Sequence, residues 1–213
     1  MKYSAVILAF VSSLVSASPI AVPPTRVQQL QDRAAISISK PTDYITVAVN
    51  AHNIHRLNHS APAVSWNADL AADAAVLAAT CVFAHNTSIG GGGYGQNIAY
   101  SGSSANLANA NPATYVNIAT TNQWYNSELS FYPTSNYGSA TTDTSAFGSW
   151  GHFSQLVWVA STQIGCASQY CAAGTISTLN SWYTVCNYKA QGNVGGQYVN
   201  NVLAPLGMAT IRV

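Results

Sequence analysis

Charged residues are scarce in this sequence of 213 residues, of which Asp, Glu, Lys and Arg make up only 6%. Seven basic residues stand against six acidic ones, and no segment gathers the basic ones into the stripe that phosphate binding requires. This scarcity excludes a nucleic-acid partner. The solubility of the chain must come from its many Ser, Thr, Asn and Gln side chains.

Long apolar runs are also lacking. The first run covers residues 5–15, follows Lys2 and precedes the small residues Ser16 and Ala17, which is the pattern of a secretory signal peptide. It is too short to span a bilayer, and no later run approaches the roughly 20 apolar residues that a spanning helix needs. We therefore expect a signal peptide over residues 1–17, no membrane span, and a secreted, extracellular protein.

No long linker and no internal repeat interrupts the rest of the chain. Residues 18–40 begin Pro-rich and carry Arg26, Arg33 and Lys40, a composition typical of an extended tail or propeptide. Residues 41–213 continue without a break. They are numerous enough to form one domain with a sizeable core.

The chain contains only four cysteines, which are Cys81, Cys166, Cys171 and Cys186. In an oxidising compartment an even number of cysteines indicates disulfide bonds, and we expect two. A zinc site is the alternative, but the Cys-x2-Cys spacing typical of such a site does not occur. Two glycosylation sequons, at Asn58 and Asn86, agree with an extracellular location.

The spacing of apolar residues predicts three helices. Thr42 is placed to cap the first, which ends before Ser60-Ala61-Pro62. Asn67 caps the second, whose Ala-rich stripe requires a closely packed partner. The third begins at Asn111-Pro112 and continues past Glu128.

Residues 162–169 and 181–188 are rich in β-branched and aromatic residues, and they predict a hairpin. Helices followed by strands indicate a layered α+β domain. The glycine run at 90–93 predicts a flexible loop, because it lacks the Lys-Ser/Thr of a phosphate-binding loop.

Glutamate occurs only once, at Glu128, four residues after Trp124. A buried carboxylate needs a partner, and the histidines are the candidates. His85 and His152 lie in predicted loops, where they either share a site or serve as separate structural residues. The other three histidines share a stripe of the first helix, which could hold zinc but more simply borders the apolar face. These three are His52, His55 and His59.

Several motifs resemble those of one family. The segment GHFSQLVWVASTQIGCA (151–167) resembles the histidine motif of the CAP superfamily, which comprises cysteine-rich secretory, antigen 5 and pathogenesis-related 1 proteins. The segment YTVCNYKAQGNVGGQYVNNV (183–202) resembles the C-terminal signature of that superfamily. YGQNIA, WYNSE and the segment from His52 to Cys81 also match, in the same order. The layout is most similar to that of the fungal pathogenesis-related 1-like, or Pry-type, secreted proteins.

The resemblance implies a three-layer α-β-α sandwich with a central cleft. His85, Glu128 and His152 match three of the cleft residues, and they would hold Zn or Mg. The fourth match is Gln96, where the family has glutamate. Because glutamine cannot ionise, we expect weakened metal binding, and a water-activating hydrolase would have only Glu128 left as proton acceptor.

The resemblance also implies disulfide bonds Cys81–Cys171 and Cys166–Cys186, and a lipid-binding function that needs no cofactor. Relatives bind sterols under an aromatic loop or carry fatty acids between helices. The aromatic residues of the matching loop are Phe131, Tyr132, Tyr137, Phe147 and Trp150. They would either cover a sterol or close the core.

Three hypotheses for the function follow. The first is a secreted protein that binds sterols or other small lipids, in lipid export or host interaction. The second is a metal-dependent hydrolase that uses His85, Glu128 and His152. The third is a ligand-free signalling or interaction module, whose partner would be a host protein. We also expect glycosylation mainly at Asn58, at the end of a helix, because a glycan on Asn86 would crowd His85.

Overall fold

The computed structural model describes residues 43–213. The expected signal peptide, the expected tail and the expected helix cap Thr42 lie outside this part of the chain. None of the helices within it combines the length and the apolar character needed to cross a bilayer.

Helix α1 spans Tyr44–Asn58 and is capped by Asp43. The Asp43 carboxylate accepts hydrogen bonds from the backbone N–H and the hydroxyl of Thr46, at 2.9 and 2.7 Å. An acidic cap also interacts favourably with the positive end of the helix dipole. The predicted helix and its end before Pro62 are confirmed, whereas the predicted cap Thr42 is wrong by one residue.

Helix α2 spans Ala68–Ala79 and begins where the sequence predicts. The Asn67 side chain caps it by accepting hydrogen bonds from two N–H groups of the first turn, each at 3.0 Å. Its Ala-rich face packs on strand β3 (Gln163–Cys171), where a side chain in place of Gly165 would overlap the backbone of Leu70. The predicted close packing on this stripe is therefore confirmed.

Helix α3 spans Pro112–Asn117 and continues as a π-helix over Ile118–Asn126. Its predicted start is confirmed, because the Asn111 side chain caps it. The prediction that it continues past Glu128 is wrong. The Glu128 N–H donates to the Tyr125 carbonyl, only three residues earlier, and this tighter turn ends the helix.

Four strands, β1 (Ser65–Trp66), β2 (Gly95–Ser103), β3 and β4 (Asn180–Lys189), form one sheet in the order β1-β3-β4-β2. Strands β3 and β4 form the predicted antiparallel hairpin, and β1 pairs with β3 in parallel. Strand β2 pairs with β4 in the antiparallel sense. The sequence does not predict β2, because its glycines and Asn97 interrupt the apolar pattern of a strand.

The outer edge of β2 is covered by the π-helix. Trp124 Nε1 donates to the Ile98 carbonyl at 3.3 Å, and Gln123 Nε2 donates to the Tyr100 carbonyl at 3.0 Å. Two consecutive side chains thus occupy acceptors that a further strand would otherwise use. This arrangement protects the edge from pairing with another chain.

Helices pack on both faces of the sheet. Helix α2 covers one face, while α1, α3 and α4 (Gly151–Val157) cover the other, and each face has its own apolar core. The chain is therefore an α+β sandwich of three layers, as the resemblance implies. The remaining helical pieces are α5 (Tyr198–Asn201) and the 3-10 turns Ile89–Gly91, Leu129–Phe131, Thr134–Asn136 and Phe147–Ser149.

Both expected disulfide bonds are present. Cys81–Cys171 joins the segment after α2 to the end of β3. Cys166–Cys186 joins two residues that lie opposite each other in the β3–β4 ladder. The bridges close loops with sequence separations of 90 and 20 residues, which restricts the unfolded chain.

The histidines of α1 lie in the core, which corrects the interpretation of them as border residues. His52 contacts a carbonyl of its own helix at 2.7 Å and the Tyr188 hydroxyl at 2.8 Å. His59 contacts the Leu203 carbonyl at 2.6 Å and the Tyr125 hydroxyl at 3.0 Å. Because both ring nitrogens of each residue hold separate partners, this stripe does not form a zinc site.

Arg56 is fully buried and forms no ion pair within the part of the chain that the structure describes. Its guanidinium donates to the carbonyls of Pro62, Leu156, Trp158 and Ser161, at distances from 2.7 to 2.9 Å. Burial lowers its pKa to about 10. Four backbone carbonyls therefore stabilise the guanidinium in place of an acidic partner.

Asn58 is buried, with 8% of its surface exposed, which contradicts the expectation that it is an accessible glycosylation site. Its Nδ2 donates to the Tyr125 hydroxyl at 2.7 Å, and its Oδ1 accepts from the Met208 N–H at 3.0 Å. The C-terminal segment thus covers the end of α1. A glycan on Asn58 would remove this contact.

We expect the protein to lose stability as the pH falls from about 6.5 towards 4. Burial lowers the pKa of His52 and His59 to about 4 and that of His55 to about 3. In this range the unfolded chain binds protons that the folded protein does not. Each histidine contributes up to about 1.4 kcal/mol per pH unit to the free energy of unfolding. Urea unfolding across this range measures the slope.

The variant His55→Gln tests whether these histidines cause the slope. It removes one of the three groups, so the slope should fall by about a third. The pKa values of Asp43 and Asp143 are lowered from 3.8 by hydrogen bonds from Thr46 and Ser145, so these carboxylates add to the slope only below about pH 5. An unchanged slope in the variant would show that other groups are responsible.

Candidate functional site

The predicted cleft residues come from four segments of the chain. His85 lies in the exposed loop between α2 and β2, and Gln96 is the second residue of β2. Glu128 lies in the turn after the π-helix, and His152 is the second residue of α4. The fold brings these residues together as two hydrogen-bonded pairs, one for each histidine.

Gln96 orients His85. Its Oε1 accepts hydrogen bonds from His85 Nδ1 at 3.0 Å and from the Asn86 N–H at 3.1 Å. Its Nε2 donates to the Asn187 side-chain oxygen at 3.0 Å and to the Asn86 carbonyl at 3.3 Å. A glutamate would place a carboxylate oxygen, which cannot donate, against the Asn187 side-chain oxygen and the Asn86 carbonyl. Gln96, the residue that departs from the family pattern, therefore suits its surroundings because its amide both donates and accepts hydrogen bonds.

Glu128 orients His152. One carboxylate oxygen accepts from His152 Nδ1 at 2.6 Å, and the other accepts from the Phe153 backbone N–H at 2.9 Å. The side chains of Glu128 and His152 are 12% and 31% exposed. Because each oxygen accepts a hydrogen bond from α4, Glu128 acts as a positioning residue for His152 and the first turn of that helix.

Both histidines line a single cavity of about 190 Å³, together with Gln96 and Phe147. Since each Nδ1 is held by its partner, Nε2 is the nitrogen that each ring can offer to a ligand. Glu128 does not line this cavity. Together with His152 it lines a second, more open groove of about 210 Å³, whose wall includes Phe83.

Three asparagines complete the site, and the sequence does not single them out. Asn97 donates to the His152 carbonyl at 3.0 Å, and Asn193 donates to the Gly151 carbonyl at 2.8 Å, so both hold the first turn of α4. Asn187 holds Gln96. Asparagine is unfavourable in strands, so Asn97 and Asn187 within β2 and β4 are signals of a hydrogen-bonding role.

The predicted metal ligands do not converge. Among the described residues, the one group of three His, Cys, Asp or Glu donors within 4.8 Å of one another is His52, Cys166 and Cys186. The cysteines of this group form a disulfide, so they are not thiolate ligands. His85, Glu128 and His152 form no such group in the described structure, and the expected three-ligand set stays a prediction. The cavity offers two imidazoles, fewer than the three protein ligands of a catalytic zinc site.

The five aromatic residues of the predicted lipid-binding loop divide into two sets. Tyr132 and Trp150 are 2% and 0% exposed and belong to the core, and Tyr137 packs against them. Tyr132 and Trp150 therefore close the core, which is one of the two roles expected of this loop, and Tyr137 is partly buried beside them. Phe131 and Phe147 are 60% and 40% exposed, and Phe147 also lines the cavity of the two histidines.

Comparison with solved structures supports the fold. The crystal structure of NaASP2 with Zn2+ superposes with a TM-score of 0.60 at 21% sequence identity, covering 77% of this chain and 87% of that chain. The crystal structure of Na-ASP-1 gives a TM-score of 0.59 at 21% identity, covering 89% of this chain and 47% of that chain.

Sequence comparison identifies fungal relatives. A probable pathogenesis-related protein of Arthroderma benhamiae is 44% identical over 173 residues, which cover 80% of this chain and 52% of that protein. Protein PRY2 of Saccharomyces cerevisiae is 31% identical over 164 residues, which cover 76% of this chain and 41% of that protein. The chain thus spans about half the length of these relatives.

The model of one protein family, described as "CAP: Cysteine-rich secretory protein family", matches residues 49–188. These residues include most of α1, the sheet except Lys189 at the end of β4, both disulfide bonds and both histidine pairs. On this match and on its relatives, the chain belongs to the CAP family.

Proposed function

We propose that this chain is a secreted CAP-domain protein that binds sterols or other small lipids, in lipid export or host interaction. Residues 1–17 would be its signal peptide, residues 18–40 a tail or propeptide, and residues 41–213 the CAP domain. The observation that carries the lipid proposal is the position of Phe147. This exposed aromatic ring forms part of the wall of the cavity between the two histidines.

The surroundings of Phe147 hold its ring at the edge of the cavity. Its ring packs edge-on against the buried Trp150, with 5.0 Å between ring centres, and lies directly over Gly151. Gly148 adjoins it and also lines the cavity. An exposed aromatic ring on a fixed base can contact a flat, apolar ligand and gain about 25 cal/mol for each Å² that it buries.

A hydrolytic role is poorly supported. Glu128 is the one glutamate of the chain, and both of its oxygens are engaged by His152 and the Phe153 N–H. Gln96 cannot accept a proton from water. The site therefore offers oriented imidazoles and apolar surface, and its one carboxylate is hydrogen-bonded to His152 and the Phe153 N–H.

Phe147→Ala should weaken sterol binding about fivefold, which corresponds to a loss of about 1 kcal/mol of apolar burial. Titration with a fluorescent sterol measures the affinity. Phe83→Ala is the matched control, because Phe83 is 47% exposed and lies outside the loop. Trp150 is unsuitable for this test, because replacing a fully buried Trp would unfold the core.

The two variants distinguish binding in the cavity beside Phe147 from binding in the groove that includes Glu128 and Phe83. If Phe147→Ala binds sterol as tightly as the unmodified protein, the ligand does not contact this loop. If Phe83→Ala loses more affinity than Phe147→Ala, the ligand lies in the groove beside Glu128. If neither the unmodified protein nor either variant binds the sterol saturably, the sterol part of the proposal is refuted, and the same titration with a fluorescent fatty acid tests the rest.

Divalent cation binding is a second candidate, favoured by the two oriented imidazoles at one cavity. His85 and His152 would hold Zn or Mg through Nε2, which leaves most of the coordination to water. The bound ion would supply a positive charge to the cleft. The neutral Gln96 would make this binding weak.

Gln96→Glu should tighten zinc binding by about tenfold, because a carboxylate beside His85 adds negative charge and raises the basicity of the ring. Calorimetric titration with zinc measures this change. Gln169→Glu is the control, since it adds the same charge at an exposed position of β3. Equal zinc affinity in all three proteins would show that the cleft is not a metal site.

A further inference from the structure

The sequon at Asn86 lies at the rim of the histidine cavity. His85, which lines that cavity, precedes it directly, and all residues from 82 to 88 are exposed. Both the N–H and the carbonyl of Asn86 are hydrogen-bonded to the Gln96 side chain, at 3.1 and 3.3 Å. The backbone at Asn86 is therefore fixed to strand β2 beside the cavity.

The side chain of Asn86 is oriented by Ser88, the third residue of its sequon. Its Oδ1 accepts hydrogen bonds from the Ser88 N–H at 3.1 Å and from the Ser88 hydroxyl at 2.7 Å. These bonds occupy the oxygen and leave Nδ2, the atom to which a glycan is attached, without a hydrogen bond to the described residues. In Asn58, by contrast, Nδ2 donates a hydrogen bond to the buried Tyr125 hydroxyl.

We infer that Asn86 is the glycosylated sequon of this protein and that its glycan screens the cavity between His85 and His152. The modification needs a lipid-diphosphate-linked oligosaccharide as donor. A bond forms between Asn86 Nδ2 and C1 of the first sugar, the bond from C1 to the diphosphate breaks, and Nδ2 loses a proton. Asn58 stays unmodified. This inference rests on the passage through the secretory pathway that is proposed above.

The screening follows from the fixed attachment point. Because Asn86 is clamped to Gln96 through two backbone bonds, the first sugar cannot move far from the mouth of the cavity. The glycan would therefore slow the access of reagents and bulky ligands to His85. It would leave the buried His52, His55 and His59 unaffected, because these residues lie inside the core.

The test begins with expression of the full chain in a yeast that secretes and glycosylates, followed by peptide mapping. Asn86→Gln and Ser88→Ala should each abolish the glycan, whereas Asn58→Gln should leave it. A glycan on Asn58, or secreted protein that carries none on Asn86, would overturn the inference. Failure of the chain to reach the medium would instead refute the proposed secretion.

Screening is measured with diethyl pyrocarbonate, which modifies accessible imidazoles. His85 should react several-fold faster after the whole native glycan, including the first sugar, is trimmed off by a peptide N-glycosidase, and this trimming should have no effect in Asn86→Gln. The buried histidines of α1 serve as the internal reference for a folded core. Equal reactivity of His85 before and after trimming would refute the screening, even with Asn86 fully occupied.

Discussion

The architecture depends on one buried cation that has no acidic partner among the described residues. The guanidinium of Arg56 donates to carbonyls from three segments: the loop after α1, the C-terminal end of α4, and the loop that leads into β3. A buried charge is costly unless its hydrogen bonds are satisfied, and here backbone oxygens satisfy it. Arg56 therefore fixes where the segments around α4 can lie.

This constraint connects the core to the cleft. The C-terminal carbonyls of α4 are held by Arg56, and its N-terminal turn is held by Asn97, Asn193 and Glu128. Helix α4 has only seven residues, too few to be stable alone, so its position is set at both ends by other elements. His152 lies at the held N-terminal end. The orientation of its ring is thus a consequence of packing throughout the domain.

The sequence predicts those features that depend on local pattern. Asn67 and Asn111 cap helices where the spacing requires, and the β-branched segments form the hairpin. Resemblance supplies the disulfide pairing and the cleft residues, but not the role of each. That Glu128 binds His152 and the Phe153 N–H, and that Asn58 is covered by Met208, depends on contacts between residues far apart in the chain. Periodicity carries no information about such contacts.

The most direct test of this account is the free energy of unfolding of Arg56→Met, compared with Lys189→Met, which removes an exposed positive charge. Methionine fills much of the space but removes the guanidinium donor from four backbone carbonyls, so we expect a loss of at least about 3 kcal/mol. Lys189→Met should change the stability by no more than about 0.5 kcal/mol. If Arg56→Met unfolds at the same urea concentration as Lys189→Met, Arg56 does not hold these segments together.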